Sequence, residues 1–148
     1  MKHIKIIIPA IIITLVLVIS NKSQAQCLDF AKEKGFAALD TAIYIPDGRL
    51  NAIPLSEGDN LDVYKPFFRG RKYKVIVVAD NIPVVNFKVV NFQKAVIFDS
   101  TAGGQNLKEY VFESDKNQNL IISVEIPANS GGTPKTGCVA VLVGFSQK

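Results

Sequence analysis

The run Cys138-Val139-Ala140-Val141-Leu142-Val143-Gly144-Phe145 (CVAVLVGF) decides the fold. It holds no charge, and three valines recur at every second position. Eight apolar residues bounded by turn formers make a strand rather than a core helix, which needs roughly ten to twelve or more. Both alternating sets, Val139, Val141 and Val143 on one side and Ala140 and Leu142 on the other, are apolar. A strand that is dry on both faces is expected at the centre of a sheet. In front of it, Gly131-Gly132 and Pro134 mark a loop over 129–137.

The pattern extends toward the N-terminus. Ile122, Val124 and Ile126 face one way in 120–126, and Tyr73, Val75 and Val77 share a face in 72–79, with Lys72 and Lys74 opening the other. Val85, Phe87 and Val89 alternate with Asn86, Lys88 and Val90, and 95–99 is a short apolar piece. Tyr110 and Phe112 alternate with Glu109, Val111 and Glu113, and Leu61, Val63 and Lys65 with Asp62 and Tyr64. Pro54 cannot donate to a ladder, so 49–55 reads as a broken edge strand, and 42–45 ends at the turn Pro46-Asp47-Gly48. Segment 28–34 fits one short helix with Gly35 as its stop. The fold expected is all-β: an antiparallel two-sheet sandwich, jelly-roll-like, of seven or eight strands with one short N-terminal helix.

The first 25 residues read differently. Lys2 and Lys5 give a basic start, and the run from Ile6 to Ile19 is uncharged. As a helix its fourteen residues reach roughly 21 Å, short of the ~30 Å hydrocarbon core of a bilayer. Ser23 and Ala25 are the small residues a signal peptidase accepts at −3 and −1. The expectation is a signal peptide over 1–25 and one mature domain over 26–148, periplasmic or extracellular, touching membrane only before cleavage. An uncleaved anchor is the alternative. Lipidation at Cys27 would need small apolar residues before it, where Gln24-Ala25-Gln26 stand.

Loss of the signal changes the charge. It carries three of the 17 basic residues and none of the 13 acidic ones, which leaves +1 and removes any argument for nucleic acid from the overall basicity. Cys27 and Cys138 remain near the two ends, and in an oxidising compartment an isolated pair defaults to a disulfide. Two buried, unpaired thiols are the alternative.

Several segments together resemble a family. Leu55-Ser56-Glu57-Gly58-Asp59, Tyr73-Lys74-Val75-Ile76-Val77, Asn86-Phe87-Lys88-Val89, Val96-Ile97-Phe98-Asp99-Ser100, Tyr110-Val111-Phe112-Glu113-Ser114 and Gly137-Cys138-Val139-Ala140-Val141 follow in that order. The order resembles the jelly-roll sandwiches of the GOLD and bacterial pre-peptidase C-terminal type, and exported single-domain proteins of Gram-negative bacteria. GOLD-type domains often join a cysteine near the start to one near the end, the layout of Cys27 and Cys138. The resemblance implies adhesion, recognition or assembly, with no catalytic set to carry over.

The residues themselves narrow the chemistry. His3 is the sole histidine and leaves with the signal, so the mature domain has no imidazole for a triad, a proton shuttle or a typical zinc site. No cofactor motif is present, and neither a cofactor nor a metal is expected. Carboxylates remain as acid/base candidates, with Asp59 near Asp62 and Glu113 near Asp115, so a small glycan hydrolase stays open as the alternative function. These groups flank turns, where acidic side chains are commonly just solvated, and a calcium site is the third reading.

The one local charge feature is basic. Lys65, Arg69, Arg71, Lys72 and Lys74 interleave with Phe67, Phe68 and Tyr73 inside ten residues. Such a cluster could hold an acidic glycan, a lipopolysaccharide phosphate or single-stranded nucleic acid, the last disfavoured by export, or it could be the solvated outer face of a strand and hairpin with Tyr73 and one Phe in the core. The function expected is therefore a non-catalytic binding or scaffolding role toward an envelope polysaccharide or another envelope protein.

Overall fold

The computed structural model describes residues 22–129 and 131–146, so most of the expected signal lies outside the described residues. Among the described residues, nine strands form two antiparallel sheets: β1 (Tyr44–Pro46), β2 (Asn51–Ser56), β3 (Asn60–Phe67), β4 (Lys72–Asp80), β5 (Asn86–Val90), β6 (Val96–Asp99), β7 (Glu109–Glu113), β8 (Gln118–Glu125) and β9 (Thr136–Ser146). The first sheet runs β2-β9-β4-β7, with β1 following β2 along the same edge of β9, and the second runs β3-β8-β5-β6. Every connection between consecutive strands from β2 to β9 crosses between sheets except the β5–β6 hairpin. That is the order of an eight-position jelly roll, with β1 and β2 sharing one position.

CVAVLVGF sits where its composition places it. β9 is flanked by β4 on one edge and by β1 and β2 on the other, and Val139 to Val143 are at most 3% exposed. Val139, Val141 and Val143 face the inter-sheet core with Val75, Val77, Phe87 and Ile122. Burying each such side chain stabilises the fold by about 1.5–3 kcal/mol. Pro46 and Pro54 lie in β1 and β2, edge strands that can spare an N–H. Six aromatic rings, Phe67, Tyr73, Phe112, Tyr110, Phe98 and Phe87, run in contact through the core with centroids 4.3–5.8 Å apart. Burial in this row raises the Tyr110 hydroxyl pKa above its ordinary value.

The helix is longer than its sequence implied. It runs as α1 (Lys22–Phe30), a π turn (Ala31–Gly35) and α2 (Phe36–Leu39), and passes straight through Gly35. It ends at Asp40, whose left-handed backbone (φ 62) returns its N–H to Ala37 O. Cys27, Ala31, Gly35 and Leu39 are buried at four-residue intervals. A plain helix of 3.6 residues per turn rotates such a stripe off the sheet, and the wider π turn restores its phase. Gly35 has a packing reason: a Cβ there would sit 2.7 Å from Leu142 Cδ1. The bond after Ala25, where cleavage is expected, falls within α1.

The helix covers the outer face of the first sheet. Cys138, Ala140 and Leu142 of β9 and Ile76 of β4 pack beneath it as a second core. Cys27 is bonded to Cys138 (S–S 2.04 Å, Cα–Cα 5.2 Å), which fixes the helix to the central strand. The disulfide expected from the cysteine pair is present.

Candidate functional site

At one end of the sandwich, β3 ends, β4 begins and β9 finishes beside the turn after β1. That turn is built by Asp47 and Gly48. Asp47 N–H donates to Val143 O at 2.9 Å, Asp47 Oδ1 accepts from Arg49 N–H at 3.0 Å, and Gly48 supplies the positive φ of 81°. The other carboxylate oxygen then faces across the gap between sheets. Lys65 Nζ meets Asp47 Oδ2 at 2.5 Å.

Lys65 comes from β3, where Val63, Lys65 and Phe67 all point inward. Its side chain is 3% exposed and that of Asp47 is 24% exposed, so the ammonium has given up nearly all its water for one carboxylate. Removing the partner of such a buried charge costs about 3–5 kcal/mol. The pair thus bridges the two sheets along the β1–β3 side and forms the inner wall of a cavity of about 260 Å³.

Aromatic groups and two guanidiniums complete the cavity. Arg71 Cζ lies 5.1 Å from the Phe145 ring centroid and 6.0 Å from that of Phe68, so the cation is within cation–π reach of both rings. Tyr73, below, accepts the Phe68 N–H on its hydroxyl at 2.9 Å and keeps the chain after β3 in place. Arg49 and Pro66 close the rim. Among the described residues, neither the Arg49 nor the Arg71 guanidinium has an ion pair or hydrogen bond. Three cations therefore surround one anion. The arrangement can take up a small anionic group and press a flat apolar face against it.

The structure divides the sequence cluster of five cations. Lys65 and Arg71 meet at the cavity. Arg69 is exposed in the β3–β4 turn, where its N–H donates to Asn117 Oδ1 at 2.9 Å. Lys72 and Lys74 are on β4, opposite β7: Lys72 is in register with Glu113, and Lys74 pairs with Glu109 at 2.9 Å over the Tyr44 ring. Residues adjacent along a strand point to opposite faces, so one basic run could not serve one site. Asp47, Arg49 and Phe145 are distant in sequence from the cluster, and only the turn signal at Pro46-Asp47-Gly48 hinted at this corner.

Three of the four acidic candidates, Asp59, Asp62 and Glu113, are engaged. Asp59 Oδ2 accepts from Ser56 N–H at 2.7 Å, and Asp62 accepts from Ser123 Oγ–H at 2.5 Å and lies 3.7 Å from Lys94 Nζ. Glu113 ends β7 and Asp115 lies in the turn beyond it. Among the described residues, no group of three or more histidine, cysteine or acidic side chains is arranged to hold a metal ion, and no helix is long and apolar enough to cross a membrane.

Fold and site together define a jelly-roll domain with a cationic, aromatic-walled pocket at one end. No family model matches the chain, and no curated protein matches it. Among solved structures it is similar to PliG, a periplasmic lysozyme inhibitor of g-type lysozyme from Aeromonas hydrophila, at 13% identity and a TM-score of 0.49, over 66% of this chain and 85% of that one. It is also similar to a chain from the infectious bursal disease virus Gx strain at 9% identity and a TM-score of 0.22, over 67% of this chain and 36% of that one. Neither likeness assigns a family or a ligand.

Proposed function

We propose that the chain is exported, processed after Ala25 to a single domain of 26–148, and acts in the periplasm or at the cell surface as a non-catalytic binding domain for an envelope component. The observation that carries this reading is the pair of guanidiniums, Arg49 and Arg71, that line the end cavity with no carboxylate partner among the described residues. Arg71 held against two rings and Arg49 beside it, both left unpaired among the described residues, suit an anionic partner. The resemblance to GOLD and pre-peptidase domains belongs to the same reading, because those sandwiches serve recognition rather than chemistry. The absence of any imidazole from 26–148 points the same way.

The test is retention of the exported protein on isolated cell envelope, followed by co-sedimentation. Replacing Arg49 and Arg71 together with Gln is expected to reduce retention at least tenfold and leave the denaturation midpoint unchanged. Retention equal to that of the unmodified protein would overturn the reading.

A further inference from the structure

We infer that the end cavity binds a single carboxylated sugar unit, of the uronic-acid kind, within an acidic polysaccharide. This rests on the binding role proposed above and names its ligand class. Size is the first argument. About 260 Å³ is below the ~300–1,000 Å³ that encloses a drug-sized molecule, so the cavity takes one ring and leaves the rest of a polymer outside.

Charge is the second argument. Arg71 lies over the Phe145 ring, its Cζ 5.1 Å from the centroid, and has no ion pair or hydrogen bond among the described residues, so its N–H groups are unspent and suit a carboxylate, whose two oxygens match a guanidinium fork. Arg49 stands on the same rim and adds a second positive charge. A neutral sugar would leave both cations without a counter-ion.

The Lys65–Asp47 pair separates a sugar acid from a plain acidic peptide. Asp47 is partly exposed to the cavity and can only accept hydrogen bonds, while Lys65 can only donate them. A ligand rich in hydroxyls satisfies both, because each hydroxyl donates and accepts. An aspartate or glutamate side chain has no donor for Asp47, whereas a uronate carries ring hydroxyls beside its carboxylate that can donate to it. The exposed Phe68 ring and Pro66 at the rim give a sugar's C–H face an apolar wall.

The experiment is a calorimetric titration of the protein, purified as the cell exports it, with oligogalacturonate, its neutral methyl ester, poly-glutamate and a phosphorylated oligosaccharide of similar length. Oligogalacturonate is expected to bind at least tenfold more tightly than the other three. Arg71→Gln is expected to lose at least tenfold, and Lys72→Gln, on the strand edge facing β7, to change nothing. Equal binding of poly-glutamate or the methyl ester, preference for the phosphorylated sugar, or equal effects of the two substitutions would overturn the assignment. If no saccharide binds but envelope retention still requires Arg49 and Arg71, the sugar assignment falls and the binding role stands. If retention is indifferent to both arginines, the two fall together.

Discussion

On the outer face of the first sheet, Ile76, Ala140 and Leu142 lie beneath Cys27, Ala31 and Leu39, all at most 1% exposed, while the outer face of the second sheet carries Tyr64 and Phe92 at 57% and 56%. The second face also has an apolar row: Tyr64, Ile121, Val90 and Val96 are in register across all four strands. Ile121 and Val90 in that row are nearly dry, and the Tyr64 and Phe92 rings stack beside them at 6.3 Å. Among the described residues, a whole helix covers one face and side chains alone cover the other. The difference shows in the strands themselves. β9 is apolar at every position from Val139 to Val143, whereas β3 keeps a strict alternation with its outer positions wet.

The covalent bond between helix and β9 gives the largest way to break this comparison. Replacing Cys27 and Cys138 together with Ala removes closure of a loop of 111 residues, and the chain-entropy model expects a loss of about 4–5 kcal/mol. Urea denaturation of the oxidised protein and the double variant measures it. A loss below ~1 kcal/mol would mean that packing alone keeps the helix on the sheet.

A smaller effect sharpens the contrast between the faces. Leu39→Ala removes a fully buried side chain from beneath the helix and is expected to cost about 2–5 kcal/mol. Phe92→Ala, on the uncovered face, is expected to cost no more than the ~0.5–1.5 kcal/mol of an exposed aromatic pair. Equal losses in the two variants would show that both faces carry the same load.

How much of this was legible in the sequence differs by element. Strand periodicity gave the sandwich, and the unbroken apolar run placed β9 at its centre. The one short helix was legible but its end was not, because glycine is a common helix stop, while Gly35 answers to Leu142, a residue more than a hundred positions away. The site was only half visible. Lys65 falls in phase with Val63 and Phe67, which is a sign of burial, but its partner Asp47 lies 18 residues earlier and comes from the other sheet. A basic run in sequence is not a basic patch in space when its members alternate across a strand.

The smallest expected effect concerns acid. Asp99, at the end of β6 in the second sheet, accepts from the Thr101 hydroxyl at 2.7 Å and the Thr101 N–H at 2.9 Å, with Lys88 at 3.2 Å. These bonds, the Thr101 hydroxyl first, hold its carboxyl pKa below the ordinary value of 3.8. A depressed folded-state pKa contributes stability that is fully present above the unfolded-state aspartate range and is lost as pH falls through the folded value. Asp99→Asn should therefore lower the thermal midpoint slightly at neutral pH and make no difference once the medium is more acidic than the folded-state pKa. A gap between the two proteins that is constant with pH would sink this attribution.

The Cys27–Cys138 bond also determines how the domain would respond to tension. Force applied to the chain outside these two residues would pass from one sulfur to the other and bypass everything between them. Among the described residues, eight of the nine strands, β1 to β8, lie inside that shunt, leaving the first turn of the helix and most of β9 in the line of pull. A domain tethered at one end and loaded at the other would thus keep the Lys65–Asp47 corner unstretched until β9 itself was drawn out of the sheet.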